Sequence, residues 1–444
     1  MGDERGLVYQ DLIKTDSRKV PDVMRLSQPS DDLPRQIPIE RYTSREFFDL
    51  EVEKVWRRSW QVACREEDMP DPGDHLVYDI AGLSFLLVRT DDGEIRAYWN
   101  ACLHRGRLLR ETRGHSKDLR CPFHGWCWSL EGRLKQIPAS WDFPHIDKEK
   151  NSLPEVRVGR WGGFIFINPD PDCVSLEDFL GDLPSHFSRW PLEDRFKVAH
   201  VAKIIACNWK VAQEAFMEAL HVVGTHPQLM ASLGDSNSQY DIFSTFSRTI
   251  TPNGTPSPHL SERPSEQMMA ENILDLDYGA DSPVTVPEGH TARETMATRR
   301  REALKGAIGD RAEELCDAEL MDSIYYTVFP NFHPWGSYNR IVYRFRPHGN
   351  DHRMSVMEVM YLEPRTADTP RRATPIHWLG VDDDWVEAPE LGMLARVFNQ
   401  DVFNLPKVQR GLETTQRKHV QLSRYNESRL RHIHQLLEEA IARD

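Results

Sequence analysis

The 444-residue sequence predicts an α+β chain: an all-β unit near the front, then a larger unit in which helices and strands mix. Three observations carry this. From about Gln61 to Asn168 the texture is short strand-like runs separated by turn signals. Beyond Pro171 strand and helix patterns alternate without an internal repeat. From Leu391 onward the pattern is amphipathic helix.

Residues 1–45 are polar and proline-bearing with weak helical signals, and read as an N-terminal arm. Ser44 to Trp60 reads as a helix, with Phe47, Phe48, Leu50, Val52 and Val55 as its apolar positions. Strand runs lie within His75–Val88, and Asp91-Asp92-Gly93 is a hairpin turn before Ile95–Trp99. Two Cys/His loops follow, each expected at a hairpin tip. Arg157–Asn168, containing Gly162-Gly163, closes the all-β unit, which is assigned residues 46–171. In the remaining unit, 172–444, Lys197–Asn208 reads as a strand and Val211–Val223 as one continuous helix. Thr251–His290, rich in Pro, Ser, Glu and Gly, reads as a long irregular loop. Thr291–Asp317 is charged and helical. Ser323–Phe332, Asn339–Arg346 and Met354–Leu362 read as strands, and Leu391–Gly411 and Gln416–Ala442 as helices.

The formal net charge of −14 argues against a nucleic-acid partner. No apolar run reaches bilayer length, and Met1-Gly-Asp-Glu-Arg lacks the layout of a signal peptide. Seven scattered cysteines suit reduced thiols; the expected location is cytoplasmic, with no membrane partner.

The chemistry is carried by Cys102-Leu-His104-Arg105-Gly106 and Cys121-Pro-Phe-His124-Gly125-Trp126. Each offers one thiolate and one imidazole. The order Cys, His, Cys, His suits a [2Fe–2S] cluster with both cysteines on one iron and both histidines on the other. Zinc can use the same residue types, but its usual finger order groups the cysteines first. The glycines and Pro122 let the loops bend tightly. Between Arg105 and Arg120 there are six basic residues (Arg105, Arg107, Arg110, Arg113, Lys117 and Arg120) against Glu111 and Asp118. That patch is either a solvated loop or a docking face for an acidic electron donor.

Downstream, Glu214, Glu218 and His221 fall at i, i+4 and i+7 of the expected helix, and His226 follows just before Pro227. Glu218, His221 and His226 thus offer a carboxylate and two imidazoles, the ligand set of mononuclear non-haem iron(II). No G-x-G-x-x-G strand–helix unit is present, so the chain itself is not expected to bind a nicotinamide.

The two Cys/His loops followed by Asn208-Trp209-Lys210 and acid-x-x-His-x4-His resemble the alpha (catalytic) subunit of Rieske non-haem iron aromatic-ring-hydroxylating oxygenases, from about residue 40 to the C-terminal helix. The resemblance implies a Rieske [2Fe–2S] domain and a helix-grip (START/Bet v1-like) catalytic domain with an antiparallel sheet. It implies that Cys102, His104, Cys121 and His124 hold the cluster. His221, His226 and Asp401, the last in Asn399-Gln400-Asp401, would hold Fe(II). Glu218 would bridge to a cluster histidine of a neighbouring subunit. Two departures stand out: the bridging residue is commonly Asp, and Glu214 occupies a place that many members give to Asn. Glu218 as a direct ligand, with Asp401 structural, is the local alternative. Also implied are a homotrimer, with or without a beta subunit, a ferredoxin or flavin reductase as electron donor, O2, and a small apolar substrate. Ring dihydroxylation of an aromatic or polycyclic compound is preferred; single hydroxylation or demethylation of a non-hydrocarbon uses the same metals. A pure Rieske electron carrier would end after the β unit. Arg107 and Phe123 stand where a respiratory Rieske protein has its disulfide cysteines, and Trp126 stands in place of a hydroxyl donor, which implies a lower-potential cluster. Pocket walls are expected from Phe216, Met217, Leu220, Val223, Leu229, Met230, Phe243, Phe329 and Phe332.

Overall fold

A computed structural model describes residues 6–278 and 283–443. Strand β1 (Gln36–Pro38) precedes the first substantial helix, Arg45–Glu51, which Ser44 caps by accepting the Phe47 N–H at 3.1 Å. The helix loosens into a wide turn over Val52–Trp56 and stops there, short of Trp60. Trp56 is fully buried edge-on against Trp209.

The front unit contains β2 (Gln61–Arg65), β3 (Asp74–Ile80), β4 (Leu83–Arg89), β5 (Ile95–Trp99), β6 (Gly114–His115), β7 (Leu119–Arg120), β8 (Cys127–Trp128), β9 (Leu134–Gln136), β10 (Glu155–Trp161) and β11 (Phe164–Asn168). Seven of them form an antiparallel sheet ordered β2-β11-β10-β5-β4-β3-β6, and β7-β8-β9 form a second, smaller sheet. Gly162 and Gly163, both at positive φ, make the tight turn between β10 and β11.

The second unit is built on an eight-stranded sheet: β12 (Arg195–Ile205), β13 (Gln239–Ile242), β14 (Phe246–Thr251), β15 (Ser323–Val328), β16 (Phe332–Pro334), β17 (Ile341–His348), β18 (Asp351–Pro364) and β19 (His377–Leu379). Its order is β13-β14-β15-β16-β17-β18-β12-β19, antiparallel except for the β12–β19 pair. Side-chain alternation sorts its two faces. On one face Val342, Met360 and Phe332 pack against Trp60, Phe164 and Phe166 of the front unit. On the other, Tyr343, Phe345, Met357 and Val359 pack under Val211, Ala212, Ala395 and Phe398 of two helices, Trp209–Glu214 and Leu394–Thr414. The helices and the front unit therefore sandwich the sheet.

Several expectations are corrected. Val211–Val223 is not one helix: it is helical only over Trp209–Glu214 and again over Val222–Thr225. The stretch Thr251–His290 contains the helix Glu266–Tyr278, started by Ser265, whose hydroxyl accepts the Met268 N–H; residues 279–282 of that stretch lie outside the described residues. The Gln416–Ala442 helix begins only at Ser428. Before it, β20 (His419–Gln421) pairs with β1, because Ile37 and Val420 gain a core neighbour there that a solvent-facing helix would deny them. Arm residues Tyr9, Ile13, Val20 and Met24 are buried with Phe246 and Ile250. Among the described residues no helix is long and apolar enough to cross a membrane. The seven cysteines are free thiols.

Candidate metal centres

The two Cys/His loops fold into the same turn. The Cys102 N–H donates to the Arg107 carbonyl (2.8 Å) and the Gly106 N–H to the Cys102 carbonyl (2.9 Å). The Cys121 N–H donates to the Trp126 carbonyl (2.7 Å) and the Gly125 N–H to the Cys121 carbonyl (3.0 Å). Gly106 and Gly125 sit at φ +76° and +75°, which is why the fifth position of each loop is glycine. The extra residue between Cys121 and His124 moves the second histidine along an otherwise equal turn. The His104 and His124 rings meet at 4.6 Å between centroids.

Only the second loop is a hairpin tip, between β7 and β8. The first is not: β5 and β6, which flank it, are separated by β4 and β3 in the sheet. Asn100 closes that loop instead. Its Oδ1 accepts the Leu109 and Arg110 N–H groups (both 3.1 Å) and its Nδ2 donates to the Arg110 carbonyl (2.7 Å). Arg110 then ties the loops together, donating to the carbonyls of Arg120 (3.0 Å) and Asp118 (2.9 Å) and to the Ser116 hydroxyl (3.1 Å). One of the six basic residues in the 105–120 patch is thus a loop strut. Arg107 is paired with Glu111 at 2.8 Å.

Cys102 and Cys121 are buried, and the histidines are half-buried. Burial pushes the Cys102 thiol above its ordinary range, the backbone N–H groups of His104 and Arg105 oppose that, and the adjacent Cys121 adds to it. His104 lies parallel to Trp126, and its Nδ1 is buried without a hydrogen-bond partner. Two adjacent buried thiols beside an unpartnered buried imidazole nitrogen fit a cluster that takes thiolates and neutral imidazoles.

The second centre starts from Asn208-Trp209-Lys210. Asn208 caps the helix by accepting the Lys210 N–H (3.0 Å). The Trp209 indole (3.2 Å) and the Lys210 ammonium (2.5 Å) both donate to the buried Glu51 carboxylate, which locks this helix to Arg45–Glu51. After Glu214 the helix breaks, because its peptide groups find other partners. The Met217 carbonyl accepts from Arg429 Nη1 (3.0 Å) and Thr249 Oγ1 (3.3 Å), and the Ala219 N–H donates to the Tyr240 hydroxyl (3.1 Å). Glu218 then restarts the chain: its Oε2 accepts the His221 N–H (3.0 Å) and its Oε1 the His221 Nδ1–H (2.7 Å). The expected placing of Glu214, Glu218 and His221 on one helical face is therefore replaced by this local loop. Glu214 turns away to Tyr42 and His434 (3.1 and 2.8 Å).

Asp401, buried on the helix Leu394–Thr414, places Oδ1 2.8 Å from His226 Nε2 and 3.6 Å from His221 Nε2. Donor atoms of these three residues all lie within 4.8 Å of one another. Among the described residues no other set of three or more His, Cys, Asp or Glu side chains closes to that spacing. Burial disfavours the His221 imidazolium, but the Glu218 carboxylate outweighs it and holds the His221 pKa above its ordinary value. Gln400 Oε1 accepts the His226 Nδ1–H (2.8 Å) and is itself held by Gln228 Nε2 (2.7 Å). Both histidines thus carry their proton on Nδ1 and turn Nε2 toward Asp401, which fits a metal taken by two imidazoles and one carboxylate.

The positioning roles of Asn100, Arg110, Gln400 and Arg429 are not legible in the sequence, where Arg110 reads only as one of the basic residues of the 105–120 patch. Only Gln400 had a local signal, its position beside Asp401. Of the expected wall residues, Phe216 packs with Tyr343, Phe345 and Phe398 next to the triad. Phe243 and Phe332 instead belong to the core on the far face of the sheet. Trp335, stacked on Tyr325 and edge-on to Tyr343, completes the near wall.

Residues 182–443 match the family model described as ring hydroxylating alpha subunit (catalytic domain), and residues 59–147 the one described as Rieske [2Fe-2S] domain. The anthranilate 1,2-dioxygenase large subunit of Acinetobacter baylyi is 33% identical over 207 residues, covering 45% of this chain and 44% of the relative. The carnitine monooxygenase oxygenase subunit of Escherichia coli is 32% identical over 194 residues, covering 43% of this chain and 52% of the relative. The chain spans about half the length of the curated relatives it matches. A solved structure of naphthalene 1,2-dioxygenase with indole bound superposes with a TM-score of 0.65 over 94% of each chain at 19% identity, a likeness of fold.

Proposed function

The chain belongs to the ring-hydroxylating alpha-subunit family, and we propose on that footing that it is the oxygenase component of a multicomponent system hydroxylating an apolar, aromatic or polycyclic substrate. Its cofactors are a [2Fe–2S] Rieske cluster and a mononuclear non-haem iron. We assign the cluster to Cys102, His104, Cys121 and His124, and the iron to His221, His226 and Asp401. The observation that carries the reading is the convergence of those last three side chains within 4.8 Å, each histidine fixed from behind by its own acceptor. When bound, the cluster supplies single electrons and the iron(II) supplies open positions for O2 beside the substrate. Glu218 pins the His221 proton on Nδ1 and leaves Nε2 free to bind; Gln400 does the same for His226. Phe216, Phe398 and Tyr343 form an apolar cluster beneath the helix that carries Asp401.

Glu218 is the proposed bridge to a cluster histidine of a neighbouring subunit in a homotrimer. In support, Val223 and Phe403 beside the iron ligands, and Leu103, Leu108, Phe123 and Trp141 in the cluster unit, are exposed apolar side chains. A ring interface would cover two such distinct surfaces together. The proposed donor is a ferredoxin or flavin reductase, and the proposed location is cytoplasmic. A second reading, oxidation of a quaternary ammonium compound, is favoured by the aromatic Trp335 and Tyr343 rings, since aromatic faces suit a cation; the carnitine monooxygenase relative agrees with it.

The test is product analysis with an aromatic and a quaternary ammonium panel, a surrogate reductase and ¹⁸O2. Two labelled oxygens in a ring diol support the main reading, and one with loss of a carbon fragment supports the second. His221→Ala should stop labelling yet keep the visible spectrum of the cluster. Undiminished turnover by that variant would refute the iron assignment.

A further inference from the structure

Gln213 has no part in the metal chemistry, yet its surroundings are unusual. It is fully buried on the helix Trp209–Glu214, and its Nε2 has no hydrogen-bond partner. A side-chain amide can donate two hydrogen bonds there, and a buried donor left unmatched is costly.

The direction of the amide is fixed by a chain that starts at Arg429. Arg429 is also fully buried; Nε donates to Ser247 (3.0 Å), Nη1 to Thr249 (2.6 Å) and Nη2 to the Thr327 hydroxyl. These three hydroxyls and the Met217 carbonyl, its fourth acceptor, are all neutral. Thr327 Oγ1 accepts from Arg429, and we assign its own proton to His333 Nδ1 (2.9 Å), the arrangement in which the buried hydroxyl also donates. The ring proton of His333 is then on Nε2, which donates to Gln213 Oε1 (3.1 Å). Burial, and then the Arg429 charge, hold the His333 pKa well below its ordinary value, in accord with a neutral ring. Every bond in the chain points the same way, from the buried cation to the Gln213 amide nitrogen. Aligned dipoles of this kind leave the positive end at Nε2.

That end lies on the side of the sheet that carries the iron triad. His333 stands opposite Tyr343 in the β16–β17 register and contacts Phe345 at 5.1 Å. Phe216 contacts both Tyr343 and Phe345 at 5.3 Å, and Phe398, three residues before Asp401, closes the group. On the same wall Trp335 Nε1 is a second buried donor without a partner. The wall is aromatic, and among the described residues its two buried N–H donors, Gln213 Nε2 and Trp335 Nε1, have no hydrogen-bond partner.

We propose that Gln213, seconded by Trp335, is a specificity-determining residue that donates hydrogen bonds to an oxygen acceptor of the substrate. The substrate is then an apolar skeleton bearing a carbonyl or carboxylate oxygen, and not a bare hydrocarbon. This rests on the oxygenase reading above. The Arg429-to-Gln213 chain is the positioning device: it holds the amide oxygen away from the substrate and the amide nitrogen toward it.

The test measures binding, not turnover. The enzyme with both metals, kept anaerobic and without reductant, is titrated with naphthalene, 1-acetylnaphthalene and 1-naphthoate, with tryptophan fluorescence as readout. The wild type should prefer at least one oxygen-bearing probe over naphthalene by on the order of 10-fold, the worth of a matched buried donor. Gln213→Met, which keeps volume and removes both donors, should reduce that preference to within about twofold. Gln213→Glu keeps the acceptor for His333 but puts an oxygen where the N–H was. It should weaken both oxygen-bearing probes relative to naphthalene, 1-naphthoate the more because its charge meets the new carboxylate. Equal binding of the three probes by the wild type, or an undiminished preference in Gln213→Met and Gln213→Glu, would overturn the proposal. A preference that follows Gln213 with no ¹⁸O-labelled product from any probe would leave the recognition site standing and remove the oxygenase reading.

Discussion

Gln400→Leu separates the iron site from everything around it. His226 is 3% exposed in its side chain, and its Nδ1–H reaches Gln400 Oε1 at 2.8 Å. Leucine fills similar space and accepts nothing. The buried N–H then costs about 1–3 kcal/mol, or the proton moves to Nε2. From Nε2 it would point at Asp401 Oδ1, only 2.8 Å away, and would have to be displaced before a metal could enter. Both routes act in the same direction. They predict a loss of about 10- to 100-fold in iron(II) affinity, the usual range for removing a partner behind a ligating histidine. The assay is competition against a chromophoric chelator after selective removal of the mononuclear iron, with the visible absorption of the cluster as internal control. That absorption should not change, since the cluster loops touch neither residue. Gln400→Glu restores an acceptor and should recover wild-type affinity or exceed it. Iron affinity in Gln400→Leu within about twofold of wild type would refute the argument that this hydrogen bond sets the tautomer.

Two further outcomes concern stability. Lys210→Met strands the Glu51 carboxylate, which is fully buried, and should cost about 3–5 kcal/mol in denaturant unfolding, most of it recovered by adding Glu51→Leu; a single-variant loss under about 1 kcal/mol would refute the clamp. His200 is held neutral, with its pKa pushed down from 6.5 to about 4 by burial and then by Lys197. The native state therefore binds its proton less readily than the unfolded chain. The stability this confers is complete above pH 6.5 and is lost as pH falls toward 4, about 3 kcal/mol in all. His200→Gln should flatten that part of the stability profile between pH 7 and 4.5, and an unchanged slope would count against it.

The two units were readable because their signals are local. Strand alternation depends on neighbours in sequence, and the Arg157–Asn168 segment read as closing the unit folds as the β10–β11 hairpin, turned at Gly162-Gly163. The breaks were not readable for the converse reason. Met217 and Ala219 have good helical neighbours, and the chain leaves the helix because Arg429, some two hundred residues away, and Tyr240 take their peptide groups. Likewise residues 416–427 carry a helical pattern, but the pairing of β1 with β20 outweighs it.

By itself the sequence determined which thiol and imidazole side chains are grouped. Spacing within a loop fixes which donors can meet, and a Cys-x-His or His-x4-His run needs no distant partner to do so. Asp401 was legible only through the family resemblance, with Glu218 left as the alternative, and the tertiary structure is what brings the Asp401 carboxylate to the two histidines. Glu218, close in sequence, turns its oxygens to the backbone N–H and Nδ1–H of His221, on the side away from Nε2, whereas Asp401 arrives on a distant helix with an oxygen facing both Nε2 atoms. It also decided the tautomers, through Glu218 and Gln400, and the direction of the Gln213 amide, through Arg429. Each is a choice between hydrogen-bond partners that only folding brings within 3 Å or so, where a single buried bond outweighs the local preference of the chain.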